Sequence, residues 1–147
     1  MSPAAFIDAN VPIYAAGRAH PLKEPCVQVL LLAAEHPQVF VTDAEVLQEL
    51  LHRYLSIRLW PLGREAFLRF GELMEDRIEA IQAGDVQRAA TLADDHSELA
   101  SRDLLHAAVM ERLGLRCIIS ADAGFDRIQW VERLDPARFT DWRPTLL

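Results

Sequence analysis

Short apolar runs that end at an acid or a capping residue, alternating with stretches of helical periodicity, constrain this chain more than any other feature. Residues 4–8 (AAFID) read as a strand ending at Asp8, and Asn10 and Pro12 open a helix behind it. Residues 24–35 are apolar nearly all round, as in a buried helix, and His36-Pro37 stops them. A second strand over residues 38–41 (QVFV) leads into a T-x-x-E capping box at Thr42 and Glu45. Val46, Leu47, Leu50, Leu51, Tyr54 and Leu55 then form one broad apolar helix face. Pro61 opens a further helix that ends near Arg77, with Phe67, Leu68, Leu73 and Met74 as core positions. Residues 78–81 alternate like a short strand. Gly84-Asp85 starts a helix whose apolar positions are Val86, Ala89, Ala90, Leu92 and Ala93. Ser101 caps a helix over residues 102–113 that Gly114 closes, and residues 116–120 (RCIIS) make a buried strand running into Ala121-Asp122. Such alternation predicts an α/β fold with a mainly parallel central sheet flanked by helices, as one domain over residues 1–147.

Charge narrows the function. Asp and Glu outnumber Lys and Arg by 22 to 15, a formal net charge of -7, so bulk positive charge is not how this chain holds a nucleic acid. Lys23 is the only lysine, and the other basic residues are arginines. Cys26 and Cys117 form neither a disulfide framework nor a zinc ribbon, which suits a reducing cytoplasm. The N-terminal MSPAAFID lacks a basic leader, and no apolar stretch approaches a membrane span.

In a parallel sheet, ligands bind beyond the carboxyl ends of the strands, where Asp8 and Asp122 fall. Asp103 sits in the first turn of the helix before the last strand. Singly, each has a bland explanation, as a turn residue or a helix-dipole partner. Together they are a carboxylate group that needs a compensating cation, and hard oxygen ligands select Mg²⁺ or Mn²⁺. The capping box accounts for Glu45. Glu49 stays open between a site role and an i,i+4 pair with Arg53.

Four elements then carry a resemblance. FIDANVPIYAAGRAHPLKEP, VTDAEVLQELLHRY, SRDLLHAAVMERLG and IISADAGFDRI are similar to the PIN-domain family, and within it to the VapC-type ribonuclease toxins. The resemblance implies a PIN-like three-layer sandwich. It implies catalytic and metal-holding roles for Asp8, Glu49, Asp103 and Asp122, with Asn10 bracing Asp8. Ser120 and Asp126 belong to the matching S-x-D-x-x-F-D element as supporting positions, and Ala121, Ala123 and Gly124 depart from relatives that carry polar residues there. His106 orients a carboxylate or simply packs in its helix.

Implied with the family are a Mg²⁺- or Mn²⁺-dependent endoribonuclease, an RNA substrate, a cognate antitoxin protein and a homodimer built from the early helices. Hydrolysis by an activated water leaves 5′-phosphate and 3′-hydroxyl ends. Arg18, Arg53 and Arg58 flank the acidic elements as candidate phosphate ligands. A dehalogenase-type phosphatase needs an Asp where Asn10 stands, and a receiver domain needs a lysine after a late strand. A PIN fold that only binds is the remaining alternative.

Overall fold

The computed structural model describes residues 3–147. Met1 and Ser2, the start of the segment expected to carry no leader, lie outside the described residues. Five strands, β1 (Ala5–Ile7), β2 (Phe40–Asp43), β3 (Ile78–Glu79), β4 (Cys117–Ile119) and β5 (Glu132–Leu134), form one sheet in the order β3-β2-β1-β4-β5. Every neighbouring pair is parallel. A parallel sheet is covered on both faces, and β1, β2 and most of β4 are accordingly buried, with only Thr42 and Asp43 of β2 polar among them. The helices α1 (Asn10–Ala16), α2 (Lys23–Glu35), α3 (Ala44–Ser56), α4 (Trp60–Leu73), α5 (Ala83–Ala93), α6 (Ser101–Leu113) and α7 (Phe139–Leu146) flank it. No helix of the described residues is long and apolar enough to cross a membrane.

The register pairs Phe6 with Val41 on one side and with Ile118 on the other, so β1 is the central strand. Strand order runs outward from β1 in both directions, through β2 and β3 on one side and β4 and β5 on the other. The crevice at such a reversal is where open α/β sheets receive ligands. Asp8 and Ser120 sit side by side there, since the Asp8 amide donates to the Ile119 carbonyl at 3.1 Å.

Several expected boundaries move. Residues 37–39 form a 3-10 turn, so the second strand begins at Phe40 and takes in Thr42 and Asp43. Thr42 does not cap α3. Its hydroxyl donates to the Ile7 carbonyl across the sheet at 2.9 Å, and Asp43 caps the helix by accepting from the Val46 amide at 2.9 Å. The capping-box account of Glu45 therefore fails. Ser101 is likewise inside α6, with Ala100 at the cap position. The α4 helix ends at Leu73 rather than near Arg77, because the chain turns through Asp76 at φ 67°. Leu68, expected in the core, is exposed, as are Leu55 and Val86 among the apolar positions of their helices. Gly114 closes α6 at φ 73°, as its position predicts.

Candidate metal centre

Three strand ends deliver the site: Asp8 follows β1, Asp43 ends β2, and Ser120 with Asp122 follows β4. Asp8 is buried, and protein donors hold both of its carboxylate oxygens. Oδ1 accepts from the Ala9 amide at 2.8 Å, and Oδ2 accepts from the Ser120 hydroxyl at 2.7 Å. Asn10 Nδ2 donates to Ser120 Oγ at 2.9 Å and lies 3.3 Å from Asp8 Oδ2. Its Oδ1 accepts the Ala121 amide at 3.1 Å, so one side chain ties the ends of β1 and β4 together. Ser120 Oγ also accepts from the Asp122 amide at 3.0 Å. Asn10 and Ser120 thus surround the first carboxylate, and burial raises its pKa above the ordinary value.

Glu49, on α3, is drawn in by two cations. His106 Nε2 lies 2.7 Å from its Oε2, and Arg102 Nε ion-pairs with Oε1 at 2.8 Å. The expected alternative, a pair with Arg53, is absent among the described residues. His106 is fully buried on α6, and its Nδ1 lies 2.8 Å from Asp43 Oδ2. Both ring nitrogens face carboxylates, which favours the charged form of the ring. Burial opposes that charge, but the hydrogen bonds to Asp43 and Glu49 outweigh it and hold the His106 pKa well above its ordinary value. Asp8, Glu49 and His106 each place a ligand atom within 4.8 Å of the other two.

Asp103 differs from these. It is buried in the first turn of α6, and its carboxylate has no hydrogen-bond donor among the described residues. Burial first, and then the charges of Asp8 and Asp122, push its pKa up to about 7. Asp122 caps the 3-10 turn after β4 by accepting the Gly124 amide at 2.8 Å on Oδ1. An oxygen-rich donor set that includes a carboxylate, Asp103, held by no protein donor among the described residues and open to solvent fits a hard divalent cation, which would relieve the repulsion.

The PIN domain family matches residues 5–131. The chain belongs to the PIN-domain family. It is 35% identical to the ribonuclease VapC13 of Mycobacterium tuberculosis over 129 residues, which cover 88% of this chain and 98% of that protein. It is 39% identical to ribonuclease VapC23 of the same species over 120 residues, covering 80% and 91%. The fold matches a crystal structure of VapBC2 from Rickettsia felis bound to a promoter DNA fragment, with a TM-score of 0.71 at 16% identity over 90% of this chain and 98% of that one.

Within this PIN domain, Asp126 stands apart from the other acids. It makes a two-pronged pair with Arg133, at 3.0 and 3.2 Å, and Arg133 also donates to the Ser120 carbonyl at 3.1 Å. Asp126 therefore acts on the β4 end through β5. Sequence alone does not mark Asp43, because its partner His106 lies 63 residues away. The signal that points to it is an acid immediately before a helix, which also reads as an ordinary cap. Two clefts flank the site: one is lined by Asn10, Tyr14, Arg18 and Arg53, the other by Glu49, Arg53 and Arg102. Arg58 lines neither and sits in the turn after α3 at φ 58°.

Proposed function

We propose that this PIN domain is a Mg²⁺- or Mn²⁺-dependent endoribonuclease and the toxin of a type II toxin-antitoxin pair. The observation that carries the reading is the cluster at the strand ends, where Asp8, Glu49 and His106 bring ligand atoms within 4.8 Å of one another and Asp103 stands close enough to Asp8 and Asp122 to feel their charges. The ribonuclease relatives, at 35% and 39% identity, support the reaction class. In this reading Asp8, Glu49, Asp103 and Asp122 hold the ion. When bound, such an ion activates water and neutralises charge on the scissile phosphate.

The chain's own residues do the rest. Ser120 and Asn10 donate to Asp8 and fix its carboxylate at the β1 end. Ala9 holds the other oxygen. Arg18 and Arg53, exposed and free of carboxylate partners among the described residues, line the flanking cleft and receive RNA phosphates. Asp126 shapes the β4 loop through Arg133 and stays away from the reacting groups.

The acting unit is a single domain spanning the whole chain, working in the cytoplasm, where its two free thiols stay reduced. It pairs as a homodimer through the early helices and is silenced by a cognate antitoxin. The exposed Leu31, beside an apolar cleft of Pro12, Leu30, Phe70 and Leu73, supports a protein contact on that side. The test is the chemistry of the RNA ends. Attack by water leaves 5′-phosphate and 3′-hydroxyl termini; cyclic or 3′-phosphate ends, or uncut RNA under every metal condition, contradict the proposal.

A further inference from the structure

We infer that Asp43 and His106 are positioning residues that set the Glu49 carboxylate for cation binding. The inference rests on the proposed role of Glu49 in holding the divalent ion. Glu49 carries a long side chain on an amphipathic helix, and a free glutamate samples many rotamers. Here both its backbone and its carboxylate trace back to one residue. Asp43 Oδ1 accepts the Val46 amide at 2.9 Å, which fixes the start of α3 and hence the height of Glu49 on the helix. Asp43 Oδ2 accepts a hydrogen bond from His106 Nδ1 at 2.8 Å, which fixes the ring so that Nε2 meets Glu49 Oε2 at 2.7 Å.

Nothing in this chain is free to drift. Asp43 and His106 are both fully buried, and the Phe6 ring lies against the imidazole with centroids 5.2 Å apart. The same Nε2 is 3.7 Å from Asp8 Oδ1, so the ring sits between the two carboxylates and spaces them. Arg102, on the other oxygen of Glu49, is mostly exposed and supplies charge rather than a fixed direction. A carboxylate–histidine pair behind a cation-holding carboxylate is the kind of support whose loss weakens metal binding tenfold to a hundredfold.

The test is Mn²⁺ titration by calorimetry of the wild type, E49Q, H106Q and the E49Q/H106Q double variant, each checked for thermal unfolding. A side chain acting through Glu49 gives a coupled pair. H106Q is expected to weaken Mn²⁺ about tenfold or more, and the double variant to bind within about threefold of E49Q alone. Wild-type affinity in H106Q, or two losses that multiply, overturns the inference. If D8N abolishes Mn²⁺ binding while E49Q leaves it unchanged, the role of Glu49 itself falls, and the inference with it. Should H106Q fail to fold, D43N keeps a cap acceptor while removing the charge behind Nδ1; weaker Mn²⁺ binding supports the inference and wild-type binding overturns it.

Discussion

Asp103 is the side chain whose state depends most on what fills the site. Its folded pKa, about 7 against an ordinary 3.8, means that the folded protein prefers it protonated. Its contribution to stability is therefore fully present below about pH 4 and is lost as pH rises through 7. In metal-free buffer, Asp103→Asn is expected to be more stable than the wild type at pH 8 and equal to it at pH 4, as read by chemical denaturation at the two pH values. Protons also compete with the cation, so Mn²⁺ affinity should fall as pH drops from 8 to 6. Ser120 is the opposite kind of residue, with a buried hydroxyl serving Asp8, Asn10 and Asp122 at once. Ser120→Ala strands those partners and should cost about 1–3 kcal/mol in urea unfolding. An acid that follows an apolar run can be read from sequence, which is why Asp8 and Asp122 stood out. Asp43 and His106 could not be paired that way, because only the fold brings the end of β2 against α6.

Helix α3 carries Glu49, and its packing on α4 depends on a residue without a side chain. A Cβ built at Gly63 runs into the Tyr54 ring, so Gly63→Ala must either push α4 away or displace Tyr54. Destabilisation of about 1–3 kcal/mol or more is expected, together with weaker metal binding as α3 shifts, both measurable on one purified variant. Local rules found α2 and α6 because their apolar spacing and stop residues agree, and found the start but not the end of α4. The same rules misplaced the start of α3, since Thr42 and Asp43 are both good caps and a hydrogen bond to Ile7 decides between them. Strand β5 was not anticipated at all. It is an edge strand reading Glu-Arg-Leu, held by pairing with β4 rather than by an apolar run of its own. Helix α7 was missed too: Pro144 lies within it, and its core contribution is essentially one buried residue, Trp142.

At the scale of the whole molecule, an acidic protein must attract a polyanion locally. Its formal charge of -7 repels RNA at long range, while Arg53 shares one cleft with Glu49 and another with Asn10 and Arg18. The double variant R18A/R53A should raise KM with little change in kcat, and should lower the salt dependence of RNA binding by about 0.7 per arginine in the log-log slope. The overall α/β architecture followed from the alternation of elements, whereas the meeting of Asp8 and Ser120 at one crevice needed the strand order. The most direct measurement compares cleavage of a mixed RNA pool by the wild type and by a D8N variant of equal thermal stability, with Mg²⁺ or Mn²⁺ and with EDTA. The carboxylate-metal account predicts cleavage by the wild type with metal, and none with EDTA or in D8N. Cleavage that persists in EDTA, or undiminished cleavage by D8N, would contradict it.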